Sequence, residues 1–120
     1  NHCVQGTFGA EFHKDLDTTK ANMIIRKGYR KQIDSYSAFY ENDKKTMTGL
    51  DGFLKQNNIK KVYLCGLALD FCVYYSAIDA KTLGYDTYVI LDATKAIDLD
   101  GSKNKSLKDM EIKNVNLIHL

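Results

Sequence analysis

A chain of 120 residues that is 44% hydrophobic can form one packed domain or part of one. Seventeen Lys and Arg are scattered among 15 Asp and Glu, and the net charge of +2 marks neither a nucleic-acid face nor a membrane-surface face. No apolar run is long enough to span a bilayer, and three widely spaced cysteines make neither a disulfide framework nor a zinc pattern, which fits a reduced, cytoplasmic setting without excluding the nucleus.

In chain order, residues 1 to 20 have little periodicity and read as a long loop. His2 lies in it, but one imidazole cannot hold a metal. No second ligand sits at a suitable local spacing, so a surface or core histidine is the simpler reading of the residues alone. Met23 to Ile25 reads as a short buried strand ending at Arg26-Lys27-Gly28. A cation at the carboxyl end of such a strand faces the crevice where open α/β folds place their chemistry. Tyr29 to Asn42, with Tyr29, Tyr36, Phe39 and Tyr40, reads as an aromatic loop, and Met47, Leu50, Phe53 and Leu54 predict an amphipathic helix from about Thr46 to Gln56.

Val62 to Cys65 is a continuous apolar run, expected as a strand buried on both faces of a parallel sheet and ended by Gly66. Asp70 is a suitable N-cap, and from Phe71 the apolar positions 71, 75 and 78, with 73, 77 and 80 beside them, predict a helix to Gly84. Cys72 then falls in the first helical turn, where unpaired N–H groups and the helix dipole favour a thiolate. Position alone leaves two readings, an activated nucleophile or a small buried thiol. Tyr88 to Leu91 is a further strand, Ser102 to Asn114 a helix with Leu107 and Met110 inward, and Val115 to Leu120 a last strand. Strands alternating with helices imply a parallel sheet.

Three stretches, in order, resemble the cysteine hydrolase superfamily that includes isochorismatases and nicotinamidases. Gly66-Leu67-Ala68-Leu69-Asp70-Phe71-Cys72-Val73 resembles its nucleophile motif, Ile24-Ile25-Arg26-Lys27-Gly28 its lysine-bearing segment, and His2-Cys3-Val4-Gln5-Gly6-Thr7-Phe8-Gly9-Ala10 a nicotinamidase segment with a metal-binding histidine. The resemblance implies a three-layer α/β/α fold with a mostly parallel sheet. Residues 1–120 would be a single domain forming the C-terminal portion of a longer chain. It implies hydrolysis of nicotinamide to nicotinate and ammonia through a thioester on Cys72, with Lys27 as the cation beside it.

The resemblance further implies an oxyanion site from the N–H groups of Ala68 and Cys72, presented by a cis peptide between Leu67 and Ala68. Tyr36, Leu67 and Phe71 would line the substrate pocket. His2 would be one ligand of a divalent ion, be it zinc, iron or manganese. An aspartate to carry the thiol proton, and the remaining metal ligands, are expected in the missing N-terminal segment. A homo-oligomer is expected of the family, and neither nucleic acid nor membrane is a partner. Two other readings are another amidohydrolase of the same superfamily and a non-catalytic, ligand-binding relative.

Overall fold

The structure is a computed structural model and describes residues 2–120. Three strands, β1 (Lys61–Leu67), β2 (Asp86–Lys95) and β3 (Asn116–Ile118), form a parallel sheet in the order β1-β2-β3. Helix α1 (Leu50–Gln56) precedes β1, α2 (Tyr74–Thr82) joins β1 to β2, and α3 (Ser102–Ile112) joins β2 to β3. Parallel neighbours need crossovers of this length, and helices supply them. The α/β architecture expected from the alternation is the one observed.

Side chains alternate across β1 with the period of two that a strand imposes. Val62 and Leu64 turn inward, while Tyr63, Cys65 and Leu67 face outward and are exposed. The inner face packs on α2 and α3. Leu69, Val73, Ala77, Val89, Met110 and Val115 form one buried cluster, and Leu64, Leu91 and Leu117 from the three strands lean on it. A second cluster, Phe39, Ala80 and Tyr85, gathers Leu50 and Leu54 of α1 with Val62 and Leu83.

Several expectations are corrected. β1 is not buried on both faces: Tyr63, stacked on Tyr88 of β2, and Cys65 and Leu67 are exposed, so the strand alternates instead of being continuously buried. Met23 to Ile25 forms no strand, because no described strand pairs with it, and Met23 and Ile24 are exposed. Asp70 is not an N-cap. The chain leaves β1 through a π-helical turn, Leu69–Val73, whose cap position is Ala68, and only then enters α2. Met47 is outside the helix and exposed, bridged instead to Tyr40. The long first loop contains one short turn of 3₁₀ helix, Phe8–Ala10, and is otherwise irregular as expected.

Gly66 marks where β1 stops being a plain strand. Register to β2 shifts between Leu64 and Gly66, and Gly66 has φ +108°. No atom lies within 4 Å of where its Cβ would stand, so the backbone angle, and not space, favours glycine there. The next peptide, Leu67–Ala68, is cis.

Candidate active site

Three segments meet at the end of β1: the π-helical turn with Cys72, the loop carrying Lys27, and the loop from Tyr36 to Phe39. Lys27 Nζ lies 3.7 Å from Cys72 Sγ, across 45 positions of sequence, and donates to the carbonyl of Ser35 at 2.5 Å. Both side chains are half-buried, so their attraction is screened less than that of a surface pair. Alternation along the backbone separates Lys27 from Arg26, whose guanidinium stands 4.5 Å over the Phe12 ring. The structure thus brings Lys27 and Cys72 together and sends Arg26 elsewhere.

Ser76 ties the aromatic loop to the cysteine turn. Its hydroxyl donates to the Cys72 carbonyl at 2.6 Å and accepts from the Ala38 N–H at 2.8 Å. Tyr36 is held against that turn, edge-on to Phe71 with centroids 5.8 Å apart and stacked on Tyr75 at 5.5 Å. Leu67, expected as a third wall, is 72% exposed on the open side of β1.

The loop from Lys27 to Thr48 is wired internally. Asn42 accepts from the Tyr36 N–H and donates its own N–H to the Asp34 carbonyl; the Glu41 N–H reaches Thr46 and the Thr48 N–H reaches Phe39. Arg30 pairs with Glu41 at 2.6 Å, the carboxylate side chain being 2% exposed and the guanidinium 39%. Glu41 Oε2 is buried with no hydrogen-bond partner.

On the other side of the cysteine turn stands Asp70. Its carboxylate accepts from the N–H groups of Ile97 and Asp98 and from the Ser102 hydroxyl, at 3.0, 2.7 and 2.6 Å. Burial pushes this carboxyl upward, but the bonds from Ser102, Ile97, Asp98 and its own backbone together leave it below the ordinary carboxylate value.

A cavity of about 710 Å³ is walled by Cys3, Gln5, Glu11, Ile25, Arg26 and Lys27, among others. A smaller one of about 210 Å³ lies between Met23, Ile25, Lys27, Ala38 and Leu50. Lys27 borders both. Cys72 borders neither and meets Lys27 through the 3.7 Å contact between Sγ and Nζ. Cys3, Cys65 and Cys72 are all free thiols.

No group of three or more His, Cys, Asp or Glu side chains that could hold a metal forms among the described residues, and His2 is exposed. The residues present do not by themselves fit a divalent ion. His13 is engaged locally, its Nδ1 accepting from the Asp15 N–H.

Sequence reasoning missed Ser35, Ser76 and the tie made by Asp70. Ser76 had a signal, since a serine four residues after Cys72 can bond back to its carbonyl. Ser35 contributes only a backbone carbonyl, which no side-chain pattern reveals.

A parallel sheet whose first strand runs through a cis peptide and a π-helical turn into a cysteine, with a lysine ammonium at its sulfur, defines an α/β protein with a cysteine–lysine site. The chain belongs to the isochorismatase family, since the family model for the isochorismatase domain matches residues 1–119. It is 54% identical over 110 residues to the nicotinamidase of Acinetobacter baylyi, covering 92% of this chain and 51% of that protein.

Among solved structures it is similar to the Acinetobacter baumanii nicotinamidase (TM-score 0.97, 51% identity, 99% of this chain and 57% of that one). It is similar also to PnC1 from L. infantum in complex with nicotinate (TM-score 0.94, 40% identity, 98% and 59%). A third is the pyrazinamidase of Pyrococcus horikoshii in complex with zinc (TM-score 0.85, 32% identity, 100% and 62%). The chain spans about half the length of curated relatives that it matches.

Proposed function

We propose that this protein hydrolyses nicotinamide to nicotinate and ammonia, with Cys72 as nucleophile and Lys27 as the cation beside it, a reaction of NAD salvage in the cytoplasm. One observation carries the reading: the 3.7 Å contact between Lys27 Nζ and Cys72 Sγ, in a chain 54% identical to a nicotinamidase over 110 residues. An amide is a poor electrophile. A thiolate beside an ammonium and at the start of a helix is the form of cysteine that can attack one.

The Cys72 sulfur adds to the carboxamide carbon, and the carbonyl oxygen takes up charge against the N–H groups of Ala68 and Cys72. A preorganised donor of this kind is worth roughly 10²–10³ in rate. The C–N bond breaks, ammonia departs with the proton the thiol gave up, and a thioester remains. Water then adds to the acyl carbon, the C–S bond breaks, and nicotinate and the thiol are released. Tyr36 and Phe71, packed edge to face, offer an apolar wall beside the sulfur for a flat pyridine ring. No aspartate among the described residues hydrogen-bonds Cys72, so the proton carrier is assigned to an aspartate outside them.

His2 is read as a single ligand of a divalent ion whose other ligands come from outside the described residues. No step above runs through that ion. If several subunits assemble, Cys72 and Lys27 still come from one chain, so the pair is complete within each.

The test is ammonia release by the intact protein supplied with nicotinamide or pyrazinamide, and pyruvate release when it is supplied with isochorismate. Turnover of the two amides, none of isochorismate, and loss of activity by more than about 10³-fold in Cys72→Ala are expected. Turnover of some other carbamoyl or ureido compound in place of nicotinamide would contradict the substrate. Tight binding without turnover of any of them would make this a ligand-binding relative.

A further inference from the structure

We propose that Asp70 is a positioning residue for Cys72: its carboxylate fastens the turn that carries the sulfur to the corner between β2 and α3, and so aims the sulfur at Lys27. The inference rests on the reading of Cys72 as nucleophile and adds to it a residue whose part is geometric.

The turn Leu69–Val73 is a π-helical one, wider than an α-helix, and it sits between a cis peptide and α2. The Phe71 and Val73 N–H groups both close onto the Ala68 carbonyl, so the backbone there is curled around one acceptor. Such a turn is not the default path of a chain, and it persists where tertiary contacts determine it. Asp70 supplies them. It is 4% exposed and takes three donors from Ile97, Asp98 and Ser102, at sequence separations of 27, 28 and 32.

A side chain with that role need not be acidic for packing alone. Two backbone N–H groups and a hydroxyl converging on one small side chain require two acceptor oxygens, which an aspartate has and an asparagine has only in half. Asp70 therefore reads as a clamp with a chemical specification. The corner it holds is otherwise unusual backbone, with Asp98 at φ +60°, Asp100 at φ +50° and Gly101 at φ +78°. On the opposite side the same turn is held by Ser76, which binds the Cys72 carbonyl. Cys72 is thus fixed from both directions, and an ångström of slack at such a nucleophile is expected to cost about 10²-fold in rate.

The test compares Asp70→Asn and Ser102→Ala with Tyr85→Phe in the intact protein. Tyr85→Phe removes a buried hydrogen bond to Asp51 in the other core cluster, away from the turn, and serves as a control for general loss of stability. Three readouts are taken: melting temperature, kcat and KM for nicotinamide, and the rate at which iodoacetamide alkylates Cys72, resolved by peptide mass mapping from Cys3 and Cys65.

Asp70→Asn is expected to lower kcat by about tenfold to 10²-fold with KM within about twofold. Cys72 alkylation slows in parallel. Ser102→Ala, which leaves the two backbone donors in place, loses less, about two- to threefold in both. Tyr85→Phe melts lower but keeps wild-type kcat and alkylation.

Wild-type kcat and alkylation in Asp70→Asn overturn the proposal, and so does an equal loss in Tyr85→Phe. Should Asp70→Asn not fold, Ser102→Ala decides alone: unchanged kcat and alkylation there overturn it. Full activity in Cys72→Ala sinks the nucleophile reading instead, while the alkylation comparison still tells whether Asp70 aims that sulfur.

Discussion

The two halves of the molecule hold their shape by different means. From Lys61 onward, strands and helices alternate, and Val89, Ala77, Ala80 and Met110 are fully buried in a core built by periodic sequence. From residue 2 to Thr48 there is one short 3₁₀ helix, no strand, and a chain kept in place by side chains reaching backbone groups: Asp17 to Thr19, Asp43 to Lys45 and Thr46, Asn42 to Tyr36. Yet the cysteine comes from the first kind of structure and the ammonium from the second. A cysteine–lysine pair can therefore take its thiol from a rigid element and its charge from a loop, provided that the loop is wired as densely as this one.

The sharpest way to break this comparison is at the contact between the halves. Lys27→Met keeps the length of the side chain and removes the ammonium. We expect kcat for nicotinamide to fall by about 10²–10³-fold, with circular dichroism unchanged. A loss under threefold would mean that the loop contributes packing and not charge.

The next probe tests the wiring. Arg30→Ala leaves the Glu41 carboxylate buried and unpaired, at a cost between that of a broken surface pair and a broken buried one, about 2–4 kcal/mol. In hydrogen exchange the amides of Glu41, Asn42 and Thr48 should lose protection while Val89 and Val115 keep theirs. Equal loss in both sets would show that the two regions unfold as one.

The smallest effect is expected within the periodic half. The Tyr85 phenol donates to Asp51 at 2.6 Å, and burial first and that bond second raise it to about 12. The same bond, from the other side, lowers the Asp51 carboxyl. A raised phenol stabilises the fold below its ordinary value near 10 and loses that contribution as pH rises through about 12. A lowered carboxyl contributes above its ordinary value and loses that as pH falls through the lowered one. Tyr85→Phe should cost about 1–3 kcal/mol at pH 7 in urea unfolding and flatten the decline from about pH 10 to 12. A wild-type alkaline profile in the variant would count against this assignment.

What could be read from the sequence follows the same division. The runs Val62 to Cys65 and Tyr88 to Leu91 and the helical spacing of Leu107 and Met110 located sheet and helices, because buried periodic elements write their geometry into residue order. The cysteine turn was legible in Gly66 and Cys72 but misread at Asp70. An aspartate before an apolar run looks like an N-cap, and only the distant partners Ile97, Asp98 and Ser102 show it to be a clamp.

Lys27 was found by resemblance, since the strand expected at Met23 to Ile25 does not form and local pattern gives a loop lysine no mark. The carbonyl of Ser35 that holds it, and the Arg30–Glu41 pair, depend on contacts across a non-periodic stretch and left no trace. The exposed side of β1, Tyr63, Cys65 and Leu67, was expected to be buried, because an unbroken apolar run says that both faces avoid water but not what covers them.

The account stands on one covalent bond. Intact protein mixed with nicotinamide, quenched in acid within its first turnovers and digested, should yield a Cys72 peptide heavier by a nicotinoyl group, absent from Cys72→Ala and lost on treatment with hydroxylamine. Active protein that never carries that mass on Cys72, or carries it on Cys3 or Cys65, would contradict the account.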